Sequence, residues 1–168
     1  GNFMSNTIIG ETLWNIPWED KPEGSEDIVW RFSQNPIIGW NPVPKAARVF
    51  NSAVVPFNGE FAGVFRADQK NGRATLFAGK SKDGINIDLD QDPINWVDEN
   101  GNPDPTSFAY DPRVVNIDGT YYIVWCDDMN GPSIGLGKTK DFKTQWYCLP
   151  NRTISFPMNK ILVANRGE

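Results

Sequence analysis

Histidine is absent from the 168 residues of the chain. This absence excludes His-based catalytic triads, histidine-ligated metals and imidazole acid–base chemistry, so any catalytic proton transfer must come from carboxylates, tyrosine or lysine. Cysteine is also scarce, since Cys126 and Cys148 are the two in the sequence. Without an export signal we expect both thiols to be reduced and to lie in the core.

Long apolar runs are missing as well. No run approaches the roughly 18 residues that a membrane-spanning helix requires, and residues 1–18 lack the basic and apolar regions of a signal peptide. We therefore expect a cytoplasmic protein with no membrane partner. The net charge of −5 argues against nonspecific binding to nucleic acid, because such binding requires a basic surface.

The sequence does contain a repeat with an offset of 60 residues, in which residues 51–68 align with residues 111–128. In each copy a β-rich run leads into Asn58-Gly59 or Asp118-Gly119, and a second β-rich run follows. This pattern is typical of a β-hairpin, so these dipeptides, like Asp83 further on, are interpreted as turn residues. Third strands are predicted at 74–79 and 133–137, and fourth strands at 85–89 and 145–149.

Four antiparallel strands per repeat describe one blade of a β-propeller, and no amphipathic helix is evident. We predict an all-β propeller of which the chain covers about the first two to three blades; two repeats of a β-sandwich are the alternative. Residues 1–27 are interpreted as an arm, 28–157 as the partial propeller, beginning with an edge strand and a loop at 28–50, and 158–168 as a tail. Two blades cannot close a ring, so either the chain is a fragment or copies associate into a homo-oligomer.

Candidate site residues lie at strand ends that a propeller brings to the mouth of its channel. The repeat places Asn51 and Asp111 in equivalent positions at the start of a first strand. The proline after Asp111 favours an extended or turn conformation, and a partly buried carboxyl can act as a general acid; the alternative is an Asp that caps a turn. Arg66 either neutralises a phosphate or fixes Asp68, or it forms an ordinary surface salt bridge.

Aromatic and further acidic residues complete the predicted mouth. Carboxylates and amides beside aromatic rings suit the recognition of sugars, because they accept hydrogen bonds from hydroxyls and cover apolar ring faces. Asp128 is a candidate of this kind, whereas Asp127 is interpreted as a solvated loop residue. The aromatic residues expected around the mouth are Phe50, Phe65, Tyr110 and Trp125.

Four segments together resemble glycoside hydrolase family 130. They read FNSAVVPFNGEFAGVFRAD at 50–68, SKDGI at 81–85, YDPRV at 110–114 and GPSIGLGKTKDFKT at 131–144. The family comprises β-1,4-mannoside phosphorylases and related hydrolases built as five-bladed propellers. The resemblance covers residues 28–157, and the order of several motifs makes it specific.

The resemblance implies inverting phosphorolysis of β-1,4-mannosides to α-mannose 1-phosphate, with inorganic phosphate as co-substrate and no cofactor or metal. Asp111 matches the family's general acid, which delivers its proton through a mannose hydroxyl while phosphate attacks the opposite face of the anomeric carbon. Asp128 joins the substrate-binding candidates from its place in the repeat. The residues that match those holding the mannosyl unit and approaching the phosphate are Asn51, Ser52, Arg66, Asp68 and Arg113.

Two departures from the family pattern keep alternatives open. Residues 127–132 hold no histidine where the family commonly has one. After Phe156-Pro157 the usual Arg-Lys pair, expected to bind phosphate, is replaced by the tail, which resembles the opening of biotin carboxylases. The alternatives are a β-mannoside hydrolase, which would need a second carboxylate as base, and a noncatalytic carbohydrate-binding or assembly remnant.

Overall fold

The computed structural model describes residues 19–106, 108–128, 131–149 and 154–155. Within these ranges every regular element is a strand, and no helical segment is long and apolar enough to cross a membrane. The boundaries predicted at residues 27 and 157 stay predictions, because most of the arm and the whole tail lie outside the described residues. The strands are β1 (Arg48–Phe57), β2 (Glu60–Asp68), β3 (Ala74–Ser81), β4 (Asp88–Leu89), β5 (Ala109–Ile117), β6 (Thr120–Asp127), β7 (Ser133–Thr139), β8 (Trp146–Cys148) and β9 (Ile154–Ser155).

The strands form two antiparallel sheets, each an up-and-down meander. The first sheet has the order β1-β2-β3-β4, and the second has the order β5-β6-β7-β8 with β9 pairing β7. Asn58-Gly59 and Asp118-Gly119 close the first hairpin of each sheet with φ angles of 49°, 75°, 52° and 83°. Two consecutive left-handed residues are typical of the type I′ turn of a two-residue hairpin, so the predicted hairpins are confirmed.

The fourth strand of each sheet is shorter than predicted. In the first sheet the amides of Ile85 and Asn86 donate to Oδ1 of Asp83, at 2.9 and 2.8 Å. These donors close a turn instead of pairing with β3, so β4 is confined to Asp88–Leu89. Asp83 is thus a turn residue, as predicted.

The edge strand expected within residues 28–50 is absent, since the described segment before Arg48 contains only an isolated bridge between Val43 and Ala46. Proline lacks the amide donor that a ladder needs, and this segment carries several. Residues 38–47 instead form a covering segment that packs on the first sheet. The Ala47 amide donates to the Asp68 carbonyl at 2.8 Å, which fixes the segment to the end of β2.

Two hydrophobic cores result. One lies between the sheets, where the Trp96 ring stacks on Trp125 at 4.7 Å. Gly135 leaves room for this stack, because a Cβ atom there would lie 2.0 Å from Cε2 of Trp125. The other core lies between the first sheet and the covering segment, where Phe65 and Phe77 are buried.

The opposite face of the second sheet is not covered by any described residue. Alternation along the strands puts Val115, Val124 and Ile134 on this open face, with 50%, 37% and 37% of their surface exposed. Cys126 is half-buried on the same face, whereas Cys148 belongs to the core between the sheets; both are free thiols. The expectation that both cysteines lie in the core is therefore right for Cys148 and wrong for Cys126. Association of copies stays a prediction.

Candidate active site

The equivalent residues of the two repeats, Asn51 and Asp111, meet at the ends of β1 and β5. The register of β1 against β2 is interrupted between Val49 and Ser52, and that of β5 against β6 between Tyr110 and Arg113. Such bulges re-aim side chains out of the normal alternation. The Asn51 amide Nδ2 donates to Oδ1 of Asp111 at 2.5 Å, so the sheets are joined at this point by a side-chain hydrogen bond.

Asp111 has a φ of 50°, which places it in the left-handed region. This differs from the extended or turn conformation expected before Pro112, and the reason is the bulge in which Asp111 lies. The residue belongs to β5 and is half-buried, so it does not cap a turn. A non-glycine residue in this region is uncommon and is found disproportionately at functional sites. The geometry therefore favours the functional interpretation of Asp111.

Arg66 lies beside this pair with its side chain only 24% exposed. Its guanidinium stacks on the rings of Phe50 and Tyr110, at 4.7 and 5.8 Å from their centroids. Its Nη2 atom lies 3.4 Å from Oδ1 of the buried Asp68. An ordinary surface salt bridge does not describe this arrangement, because both partners are largely shielded from water and cation–π contacts fix the guanidinium.

Three other predicted site residues, Ser52, Arg113 and Asp128, lie around this centre. The Ser52 hydroxyl donates to the Phe50 carbonyl at 2.9 Å, and the residue lines a cavity of about 720 Å³ beside the covering segment. Arg113 is exposed, and its Nη1 donates to the Pro112 carbonyl at 2.9 Å. Asp128 is exposed directly after β6. Of the predicted set, the described structure thus gathers Asn51 with Asp111 and Arg66 with Asp68.

Three further expectations are corrected. Asp127 is not a solvated loop residue: it is 1% exposed at the end of β6, where the Trp125 indole donates to its Oδ2 at 3.0 Å. Phe65 and Trp125 do not ring the mouth, because they face the two cores and are 4% and 1% exposed. Period-two alternation places each ring on the face of its sheet that packs into a core.

Cys126 pairs with Tyr110 across β5 and β6, and the charge of Asp111, the next residue after Tyr110, affects the Cys126 thiol. Burial raises the pKa of the Cys126 thiol, the Asp111 carboxylate raises it further, and Arg113 acts in the opposite direction. A carboxylate raises a thiol pKa because a second negative charge nearby is unfavourable. Cys126 therefore reports on the charge of Asp111 from the open face of the second sheet.

Arg48 is a residue that the repeat pattern missed. It pairs with Asp68 across β1 and β2, and its Nε lies 3.7 Å from Oδ2 of Asp68. Its repeat equivalent is Phe108, so comparison of the two copies gives it no weight. The strand register is the signal that could have identified it. Arg48 begins β1 and Asp68 ends β2, and the two residues form the outermost pair of this hairpin.

Comparison with known proteins adds independent information. A family model described as beta-1,4-mannooligosaccharide phosphorylase matches residues 11–167. The chain is 41% identical over 167 residues to the beta-1,4-mannooligosaccharide phosphorylase of Ruminococcus albus. The match covers 95% of this chain and 50% of that protein. The chain thus spans about half the length of this curated relative.

Solved structures show the same fold at lower identity. The beta-1,2-mannobiose phosphorylase of Listeria innocua superposes with a TM-score of 0.56 at 18% identity, over 76% of this chain and 52% of that one. A protein from Parabacteroides distasonis gives a TM-score of 0.55 at 23% identity, over 70% and 40% of the two chains. These likenesses, together with the two blade-like sheets, confirm the all-β partial propeller.

Proposed function

Because the chain belongs to the β-1,4-mannooligosaccharide phosphorylases, glycoside hydrolase family 130, we propose that its protein cleaves β-1,4-mannosides by phosphorolysis. The substrates are a β-mannoside oligosaccharide and inorganic phosphate, and the product is α-mannose 1-phosphate, formed with inversion. The observation that carries the proposal is the hydrogen bond between Asn51 and Asp111. It supports Asp111 as the acid, since the Asn51 amide fixes one carboxyl oxygen and orients the group.

In this reaction Asp111 supplies the proton that the leaving sugar needs. The proton passes through a hydroxyl of the mannosyl unit to the glycosidic oxygen, while an oxygen of phosphate attacks the anomeric carbon from the opposite face. The carbon–oxygen bond to the leaving sugar breaks as the carbon–phosphate oxygen bond forms. A single carboxyl acid suffices because phosphate is itself the nucleophile, whereas an inverting hydrolase needs a second carboxylate to activate water.

Arg66 and Asp68 are proposed to hold the mannosyl unit beside Asp111. Asp68 is buried with its oxygens facing two guanidinium groups, which orient its carboxylate as an acceptor for sugar hydroxyls. Arg66 is fixed between the Phe50 and Tyr110 rings, and Tyr110 directly precedes Asp111 in the chain. A guanidinium held by aromatic rings loses little entropy when it binds a ligand, which favours a preorganised site.

Ser52 and Arg113 remain proposed contributors because they match family residues, and Asp128 remains one because the repeat makes it the equivalent of Asp68. We also infer a cytoplasmic reaction. A sugar phosphate carries charge and is retained where it is formed, so intracellular phosphorolysis conserves the product for metabolism.

The dependence of turnover on phosphate tests the proposal. The protein is incubated with β-1,4-mannobiose, with and without inorganic phosphate, and mannose 1-phosphate and free mannose are separated by anion-exchange chromatography. We expect mannose 1-phosphate in the presence of phosphate and no cleavage without it. Free mannose at a rate independent of phosphate would identify a hydrolase, and saccharide binding with no cleavage would identify a noncatalytic binding module.

A further inference from the structure

Three consecutive apolar residues near the start of the described chain are open to water. Ile28 is 94% exposed, Val29 is 77% exposed and Trp30 is 42% exposed. Folded proteins seldom leave neighbouring apolar side chains this accessible, and such a patch marks a surface against which another segment or molecule packs. The surroundings of this patch therefore show where a missing packing partner belongs.

The cavity of about 720 Å³ beside the covering segment adjoins this patch, because Arg31, the residue after Trp30, is part of its wall. Most of the wall is apolar and stays accessible from one side. Among its apolar residues are Ile37, Ile38, Val54, Phe61 and Ile87. Ile37 and Val54 are 41% and 45% exposed, so the described residues leave this apolar wall open.

Glu19 fixes the point at which the chain reaches this surface. Its carboxylate accepts hydrogen bonds from the hydroxyl and the amide of Ser33, with the amide nitrogen 2.9 Å from Oε2. Its carbonyl accepts a third from the Trp30 indole at 3.3 Å. Arg31 and Asn35, on either side of Ser33 in the chain, both line the cavity. Since consecutive Cα atoms are about 3.8 Å apart, the residue before Glu19 must lie close to the edge of the cavity.

The segment that precedes Glu19 has the composition of a buried one. Residues 13–18 read Leu-Trp-Asn-Ile-Pro-Trp, which gives two indole rings, two aliphatic side chains and no charge. They lie outside the described residues. Six residues span roughly 20 Å when extended, so the segment is long enough to reach from the anchored Glu19 into the cavity. Its apolar side chains match the apolar wall, because burial of both surfaces removes them from water together.

We propose that residues 13–18 pack into this cavity of their own chain and complete the cover on the outer face of the first sheet. The anchoring of Glu19 to Ser33 makes the contact intramolecular. A tethered segment has an effective concentration of about millimolar order near its site, so it binds without any dependence on the concentration of the protein. The proposal is independent of the phosphorolysis, because it fills the cavity with protein and assigns no ligand to it.

The accessibility of an introduced thiol in the whole protein tests this docking. Ile16→Cys is alkylated with iodoacetamide, and peptide mass spectrometry separates the new thiol from Cys126 and Cys148. We expect the native protein to react at least about tenfold more slowly at position 16 than the urea-unfolded protein, because a packed thiol reacts only after local opening. Val54→Arg places a charge in the cavity wall and should raise the rate toward the unfolded value.

Two controls match these variants. Val115→Arg introduces the same charge at a valine that is 50% exposed on the open face of the second sheet, and it should leave the rate at position 16 unchanged. Lys70→Cys places a thiol on the exposed turn between β2 and β3, where native and unfolded rates should be similar. Thermal unfolding of each variant shows whether the fold is retained, and Val54→Ser replaces Val54→Arg if the arginine does not allow folding.

Three results would overturn the docking. The first is a rate at position 16 as fast as that of Lys70→Cys. The second is a slow rate that Val54→Arg leaves unchanged or that Val115→Arg raises equally, since the protection would then come from somewhere other than the cavity. The third is protection that appears only as the protein concentration increases, because a second copy would then supply the segment.

Discussion

Val64 and Val124 occupy the same position of the two repeats, yet their environments differ. Val64 is 0% exposed because its face of the first sheet packs against the second sheet, whereas Val124 is 37% exposed on the open face. The same contrast separates half-buried Val55 from exposed Val115. The repeat therefore encodes blades with two apolar faces, and the position of a blade in the stack decides which faces are buried.

The outer face of the first sheet is also buried according to what lies next to it. This face is covered by residues 38–47, with Phe65 buried beneath them. The second sheet presents its equivalent face to the first, so Trp125 is buried at the position that corresponds to Phe65. The pair Val64 and Val124 thus offers a matched experiment in which the side chain is the same and only its environment differs.

The largest stability effect is expected from Trp125→Ala. This change removes the ring stacked on Trp96 and leaves a cavity between the sheets, so the free energy of unfolding should fall by about 3–5 kcal/mol. Tyr147→Ala is the control, because Tyr147 is 39% exposed on β8 of the same sheet and its loss should cost less than about 1 kcal/mol. Denaturant unfolding measures both, and equal losses would contradict the account of the core.

The valine pair tests the comparison itself. Val64→Ala should lower the free energy of unfolding by about 2 kcal/mol, because the change removes two methyl groups from a closed core. Val124→Ala should change it by about 0.5 kcal/mol or less, because its side chain is already partly in water. The two variants are compared by urea denaturation of the same chain. A similar loss at both positions would mean that the open face is covered in solution.

A smaller effect is expected at the turns that follow the third strands. Burial raises the pKa of Asp141, but hydrogen bonds from the Thr144 hydroxyl and from the amides of residues 143–145 outweigh it and lower the pKa to about 2. A folded-state pKa below the unfolded value contributes stability above about pH 4, which is lost as the pH falls toward 2. Because the turn is near the surface, Asp141→Ala should cost about 0.5–1 kcal/mol at pH 7.

The pH dependence separates this explanation from a loss of packing. Urea midpoints of the parent chain and Asp141→Ala should differ at pH 7 and converge between pH 4 and pH 2. Asp83→Ala is the matched variant in the first sheet, since amide hydrogen bonds from Asn86 and Ile85 lower the pKa of Asp83 as well. A difference that persists undiminished at pH 2 would contradict the role given to the charged form.

The smallest effect concerns the thiol on the open face. Asp111→Asn removes the negative charge that raises the pKa of Cys126, so a larger thiolate fraction should react with iodoacetamide at a given pH. We expect the rate to rise a few-fold, measured by mass spectrometry of the alkylated peptide. Cys148 is buried and serves as the internal control. An unchanged rate of Cys126 alkylation would contradict the effect of the Asp111 charge on the pKa of the thiol.

The sequence predicted the local backbone conformation of the turns best. Asn58-Gly59 and Asp118-Gly119 require left-handed backbone, so the hairpins and the strands beside them could be located without tertiary information. The repeat also identified Asn51 and Asp111 as equivalent. It could not show that they touch, because the contact depends on a bulge in each sheet and on how the sheets stack.

Side-chain environments were harder to predict where tertiary packing overrides local preference. An aspartate at the end of a strand is expected to be solvated, but the Trp125 indole donates a hydrogen bond to the Asp127 carboxylate inside the core. Arg48 carries no motif, and its importance arises from the register that places it opposite Asp68. Both cases require knowledge of which strands pair and which faces meet, and a single sequence contains that information only indirectly.

The central claim is that Asp111 is the acid of a phosphorolysis. The most direct test is the initial rate of mannose 1-phosphate formation from β-1,4-mannobiose by Asp111→Asn. Asp118→Asn is the control, because Asp118 also has a left-handed φ and lies in the turn that ends β5, away from the proposed acid. The account predicts a rate at least about 100-fold lower for Asp111→Asn and a nearly unchanged rate for Asp118→Asn. A rate retained in Asp111→Asn, or an equal loss in both variants, would contradict it.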